Sequence, residues 1–450
     1  MPGALLTDLY ELNMAASYLR RGMTEPATFS LYVRTLQPER GFLVAAGLDA
    51  CLEVLETFSF EEDDLSYLGA TGFDDRAIDD FRGLRFDGAV WAVPEGRVVH
   101  ADEPILEVTA SLPVAQLVET LLLNQVTLHT TVASKAARFR IAARGRELVD
   151  FAFRRTHGRE AAMAVSRASA IVGFVATSNV EAARRYGLRA AGTMAHSFIE
   201  AFPTEVDAFR AFAEDHPDRT TFLVDTYDTE QGVRNAIEVV HDLGVGERVG
   251  VRLDSGDLLH LSRVARRLLD DAGLPDARIF ASGGLDEREV AALVRDGAPV
   301  DAFGIGTQMG VSADAPYVDS VYKLVESDGG PVLKLSAAKQ TAPGRKQVWR
   351  SDDEDVLSLR DEPSPGDGYE PLLTPVMRDG RRLAPSATID EMRARFDADL
   401  AALPEGARRL DDPDAIHPRH SDALVALTRE ARADALRRSA ATRNAAPRTP

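Results

Sequence analysis

Cysteine is nearly missing from this sequence: Cys51 is the single example in 450 residues. A lone thiol excludes a disulfide framework and a zinc site built on paired cysteines. Basic residues are in deficit as well. There are 52 Lys plus Arg against 71 Asp plus Glu, a net charge of −19. Such a chain lacks the basic face that nucleic acid or an anionic membrane requires, although a local cationic site for a small anion stays open. The opening stretch "MPGALLTDLYELNMAASYLRRG" is interrupted by Asp8 and Glu11. It therefore lacks the unbroken apolar run of a signal peptide or membrane span. The expectation is a soluble, cytoplasmic protein with no nucleic-acid or membrane partner. The length allows two or three domains and a large core.

The patterning changes along the chain. Residues 1–130 mix helix and strand. "LTDLYELNMAASYLRRG" has helical spacing with Thr7 as its expected N-cap, and "ATFSLYVRTL" alternates as a strand does. "GAVWAVPEGRVVHADEPILEVTASL" carries short β runs broken by Pro and Gly, and a long apolar helical stretch then runs to Gly145. Residues 131–335 read differently. The runs "ELVDFAF", "GLRAAGT", "TTFLVDT", "RVGVRLDS", "RIFASGG" and "DAFGIGT" alternate with amphipathic helices. Apolar strands separated by helices indicate a parallel sheet covered on both faces. Short connections favour an irregular βα barrel, short of the ideal eight units. Residues 336–450 form a third segment, with the basic "PGRKQVWR" and, after 420, an Ala/Arg-rich tail that reads as helical or loose.

Polar residues cluster where the barrel strands end: Arg154 and Arg155, Thr193 to His196, Asp225 to Asp228, Arg252 to Asp257, Ser282 to Gly284, and Gly304 to Thr307. The carboxyl ends of parallel strands are where α/β folds place their active sites. Gly283 and Gly284 in "FASGGLDE", and Gly306 and Thr307 in "AFGIGTQMG", let backbone N–H groups approach a phosphate, with a helix N-terminus behind. Tight turning alone explains either loop; two adjacent loops point to phosphate. In "VRLDSGDL", Arg252 suits an aromatic ring or a carboxylate, and Asp254 suits sugar hydroxyls or a hydrated Mg²⁺. The structural alternative is a capped helix start, with Asp254 or Ser255 as N-cap. Asp225 is placed to orient a histidine. In "GTMAHSF", His196 follows Gly192 and Thr193 at an expected strand end, with small neighbours that leave room for a phosphate. A buried structural histidine fits the residue in isolation but not its company. The pair Arg154–Arg155 is weak evidence alone, because such pairs are usually solvated.

Taken in order, "LLTDLYELNM", "RRTHG", "TSNV", "GTMAHSF", "VDTYDT", "VRLDSGDL", "ASGGLDE" and "GIGTQMG" resemble the nicotinate phosphoribosyltransferase family, over residues 5 to about 350. The resemblance implies a type II phosphoribosyltransferase: an irregular βα barrel packed on an N-terminal α+β domain that the C-terminal segment completes. It implies a homodimer with shared active sites, using nicotinate, phosphoribosyl pyrophosphate, ATP and Mg²⁺, with no assigned protein ligands for the magnesium. By the same resemblance His196 is a phosphohistidine, and Thr193 and Arg252 contact the pyridine acid. Thr307 contacts the phosphoribosyl substrate. Phe151 stacks on the pyridine ring, and Tyr10 from the partner subunit stacks on its other face. Some members carry zinc-binding cysteines near the C-terminus; this chain has none there, so no such site is expected. Relatives that use nicotinamide carry an aspartate where "VATSNVEAA" has Ser178. An aspartate repels a carboxylate, whereas a serine donates to one, so nicotinate is the expected acceptor. Quinolinate would need more basic groups. A non-catalytic nucleotide-binding protein on the same fold is the alternative of another class, and it has no need for His196, Asp225 and Arg252 together.

Overall fold

The computed structural model describes residues 3–244, 249–328, 330–335 and 341–445. The boundary expected at 336 falls on residues outside this set. The chain divides into two compact units, one comprising Met1–Thr130, Tyr317–Arg409 and Pro413–Pro450, the other Thr131–Pro316 with Leu410–Asp412. Among the described residues, no helix is long and apolar enough to cross a membrane.

The discontinuous unit is built on a seven-stranded sheet. Its strand Pro26–Val33 is buried at seven of eight positions, so it reads as a run of Phe, Leu, Tyr and Val and not as an alternation. It pairs antiparallel with Pro104–Ser111 on one side and Ser320–Ser327 on the other. Chain from beyond the barrel thereby completes the N-terminal sheet. Phe29 stacks on Tyr322 at 4.8 Å, and the buried Tyr322 hydroxyl donates to Ala115 O at 2.8 Å. Two local expectations change. The first helix is Leu9–Arg20, entered from Asp8, and Thr7 does not cap it; its hydroxyl donates to the buried Glu11 instead. The long helical stretch is two helices, Leu112–Leu117 and Glu119–Ala143, parted at Val118. The tail forms a helix, Asp422–Ala445.

The second unit holds a six-stranded sheet in the order Ala176–Thr177, Glu147–Asp150, Ala302–Ile305, Arg278–Ala281, Gly250–Leu253, Thr221–Leu223. Every neighbouring pair is parallel. This is the curled, incomplete βα barrel that the alternation predicts. One strand differs from expectation. "GLRAAGT" supplies only a single bridge, Ala190 to Thr177, and the sixth strand is Ala176–Thr177. Ala190, Ala191 and Gly192 lack the branched or aromatic side chains that hold a strand.

Three barrel helices start by one device. Asp228, Asp257 and Asp286 accept from the backbone N–H three residues on, and so cap the helices Thr229–Leu243, Leu258–Asp271 and Glu287–Arg295. The residue capping after "VRLDSGD" is therefore Asp257, not Asp254 or Ser255. In "VDTYD" and "LDSGD" alike, the second aspartate closes a helix end and the first is left for other partners.

Candidate active site

A cavity of about 500 Å³ opens at the carboxyl ends of these strands. Of the residues singled out from the sequence, Phe151, Arg154, Ser178, Thr193, His196, Arg252 and Asp254 line it. Phe153, Met194 and Leu223 also line it and were not singled out.

Arg252 sits at the centre. It is the third residue of Gly250–Leu253 and its side chain is largely buried. Nε donates to Ser282 Oγ at 2.8 Å and Nη2 to Asp254 Oδ1 at 2.6 Å. Nη1 makes two long contacts, to Thr193 Oγ1 at 3.3 Å and Met194 O at 3.4 Å. The guanidinium carbon lies 5.4 Å from the centroid of the Phe151 ring, a cation–π distance. Gly304 lets that ring lie across the sheet, because a Cβ there would come within 2.8 Å of it. One Nη2–H and the two long Nη1 contacts remain to be exchanged for a ligand. A flat ring that carries a carboxylate fits this pairing of aromatic face and guanidinium.

Asp254 is held as a carboxylate. Burial alone would raise its pKa, but the Ser282 hydroxyl and the Arg252 guanidinium outweigh burial and pull it below the usual range. Its other oxygen, Oδ2, lies 3.9 Å from His196 Nε2. His196 is the first residue of a short helix, His196–Glu200, and not the end of a strand. Nδ1 of His196 meets Thr226 Oγ1 at 3.2 Å. This departs from the expected pairing with Asp225, whose Oδ2 accepts instead from Ser255 Oγ at 2.6 Å and Asp254 N at 3.0 Å. Asp225 thus braces the Asp254 loop, and its neighbour Thr226 touches the imidazole. Asp225 Oδ1 is buried with no partner among the described residues.

Gly283, Gly284, Gly306 and Thr307 lie at the adjoining strand ends and do not line the cavity. Gly283 has φ +107 and presses against Asp254 O, where a Cβ would sit at 1.8 Å. Gly284 has φ +82 with open space around it. Both positions demand glycine, the first for close packing and the second for its backbone angle. The second loop leads into only four helical residues, Thr307–Gly310, so the dipole support expected there is small.

Sequence reasoning put Ser282 and Thr226 in strand-end clusters without giving either a role at the site, and it did not single out Asp150. Ser282 bridges Arg252 and Asp254. Thr226 reaches His196. Asp150, 1% exposed, accepts from Ala152 N at 2.8 Å and from Ser166 Oγ and Thr177 Oγ1 at 2.7 Å each, which fixes the turns that present Phe151 and Ser178. A carboxylate directly before "FAFRR" was the available signal.

Models of the nicotinate phosphoribosyltransferase N-terminal domain, family and C-terminal domain match residues 5–127, 146–361 and 366–428. The chain is 48% identical over 424 residues to nicotinate phosphoribosyltransferase pncB2 of Mycobacterium tuberculosis, covering 92% of this chain and 91% of that one.

The chain belongs to the nicotinate phosphoribosyltransferase family.

A Bacillus subtilis nicotinate phosphoribosyltransferase is 43% identical over 392 residues, 84% of this chain and 78% of its own. The crystal structure of human nicotinic acid phosphoribosyltransferase superposes with a TM-score of 0.84 at 29% identity, covering 94% of this chain and 99% of that chain.

Two features that the family resemblance implies are not supplied by the residues that line this cavity. Tyr10 belongs to the discontinuous unit and is 48% exposed on the Leu9–Arg20 helix. For magnesium, the described residues contain no group of three or more His, Cys, Asp or Glu placed to hold a metal. Asp254 instead offers a single ionised carboxylate, which suits a cation carried mainly by substrate phosphates.

The Arg252 geometry generates a prediction. Lysine cannot keep the fork to Ser282, Asp254 and Thr193 while it lies over Phe151. Arg252→Lys should weaken binding of an aromatic carboxylate by about 1.5–3 kcal/mol, roughly 10–150-fold. Calorimetric titration with nicotinate checks this, and unchanged affinity removes Arg252 from the ligand.

Proposed function

We propose that the chain transfers the phosphoribosyl group of phosphoribosyl pyrophosphate to nicotinate, with ATP consumed, and yields nicotinate mononucleotide on the salvage route to NAD. The observation that carries the reading is Arg252 over the Phe151 ring in one cavity with His196 and Asp254. Family membership supports it. The pyridine nitrogen attacks the anomeric carbon, the bond from that carbon to pyrophosphate breaks, and pyrophosphate leaves. No proton needs removing, so positioning and charge stabilisation do most of the work. Phe151 and Arg252 hold the ring, Ser178 donates to its carboxylate, and Arg154 with the two glycine loops receives the phosphates. Magnesium, when bound with the pyrophosphate, supplies neutralisation of the departing charge. A ring nitrogen of His196 attacks the γ-phosphorus of ATP, the bond from that phosphorus to the bridging oxygen breaks and ADP leaves; water then cleaves the N–P bond, giving inorganic phosphate and the free imidazole. Thr226 on Nδ1 and Asp254 near Nε2 support a fixed imidazole.

Substrate choice tests the acceptor site. Nicotinate should be strongly preferred over nicotinamide in product analysis, with comparable kcat/KM for the two overturning the reading. Ser178→Asp should cost nicotinate use roughly 1–3 kcal/mol through a partly desolvated like charge.

His196→Ala tests the ATP role. It should abolish ATP hydrolysis and ATP stimulation, yet leave a slow transfer without ATP. Loss of a general base would instead slow transfer by about 10²–10⁴-fold with or without ATP. Acid-labile label from γ-labelled ATP that persists on the variant would place the phosphate elsewhere.

A homodimer with shared sites is the assembly we favour. Leu6, Leu9 and Tyr10 are 69%, 60% and 48% exposed, an apolar face around the residue proposed to reach the partner. Tyr10→Ala and His196→Ala chains, each nearly inactive alone in the ATP-stimulated reaction, should recover that activity once mixed into heterodimers. Heterodimers without recovery would remove Tyr10 from the shared site.

A further inference from the structure

Beside the two glycine loops lies a group of four charges, three of them buried, that the reading above does not use. Lys135 and Arg138 stand one turn apart on Glu119–Ala143. Glu287 is the first residue of Glu287–Arg295, three residues beyond Gly284. Asp314 closes the compact turn that follows Thr307–Gly310. Lys135 Nζ meets Glu287 Oε2 at 2.6 Å and Asp314 Oδ1 at 2.8 Å. Arg138 Nε donates to Glu287 Oε1 at 2.7 Å and lies 3.7 Å from Asp314 Oδ2, and its Nη2 donates to Leu410 O at 2.7 Å. Lys135, Arg138 and Glu287 are 2%, 4% and 1% exposed. Burial opposes ionisation of Glu287, but Lys135 and Arg138 hold its carboxyl below the usual range.

Two cations and two anions cancel, so the group is neutral as a whole, yet its desolvation is costly and apolar packing of the same volume would often serve stability as well or better. Its value must be sought in placement. Glu287 belongs to the loop after Arg278–Ala281 and Asp314 to the loop after Ala302–Ile305, two adjacent parallel strands. Lys135 bonds both carboxylates at once. One helical turn therefore ties the helix start after Gly283–Gly284 to the turn that follows Thr307–Gly310.

We propose that Lys135, Arg138, Glu287 and Asp314 are positioning residues that hold the two glycine loops at the separation required to bind the phosphates of phosphoribosyl pyrophosphate. This rests on the reading of those loops as the phosphate site. A misplacement of about 1 Å at such a cradle is enough to cost up to 10²-fold.

Glu287→Gln, which keeps shape and removes one charge, is the first variant, and Lys135→Met the second should the first fail to fold. Steady-state kinetics should show the KM for phosphoribosyl pyrophosphate raised about 10–100-fold and the KM for nicotinate unchanged. Lys135→Arg, which keeps the charge, should restore most of what Lys135→Met loses. A loss of kcat with both KM values unchanged, or an equal rise in both, assigns the group to stability alone and overturns the proposal. Thr307→Val separates the two levels. If it raises the KM for phosphoribosyl pyrophosphate and Glu287→Gln does not, the positioning role fails while the phosphate loops stand. If neither variant moves that KM, the loop reading fails and the proposal falls with it.

Discussion

The pairing of Arg252 with Asp254 organises the site. The guanidinium is shared among Ser282, Asp254, Thr193 and Met194, and it covers the Phe151 ring. Four segments, three of them strand ends, are registered by one planar cation. Asp225 extends the order by holding the backbone and side chain of the following loop, and Thr226 then fixes the imidazole of His196. A flexible ammonium could not impose this geometry, because it lacks a rigid set of donors. The ionised state of Asp254 follows from the same pairing, so placement and charge have one origin.

Much of this was readable in the sequence because the barrel repeats one local grammar. Apolar runs of strand length end in polar clusters, and amphipathic helices follow at short intervals. Where two aspartates stand three apart, as at Asp225 and Asp228 or Asp254 and Asp257, one caps the helix and the other takes partners elsewhere. Sequence alone gives the pair but not the division of labour, since any of several Asp or Ser residues can cap. Side-chain partners across the sheet were not legible for a related reason. Thr226 and His196 are thirty residues apart, and nothing local marks their contact. The strand expected at "GLRAAGT" failed because small residues give weak pairing, while the real sixth strand, Ala176–Thr177, is too short to show a period.

The buried polar residues divide by purpose. Asp150 satisfies three donors and sets the turns that present Phe151 and Ser178. The Lys135 group bridges the segments that follow the two glycine loops. Both use charge where an apolar contact would leave the turns freer to slide. Burial separates the two sets: Arg154 and His196, which line the cavity, retain exposure, whereas Asp150, Lys135 and Glu287 have almost none.

The strand Pro26–Val33 has a consequence for biosynthesis. One of its edges pairs with Pro104–Ser111, close in sequence, but the other pairs with Ser320–Ser327. The ribosome delivers about 290 residues between Val33 and Ser320. At a rate of roughly 5–20 residues per second, that is a delay of roughly 15–60 s. During it the continuous barrel segment can fold, while an apolar strand edge in the first segment stays unpaired. Such an edge is a template for other chains. A chain that stops before residue 320 never closes it, so the final third of this protein also acts as the cover for its beginning.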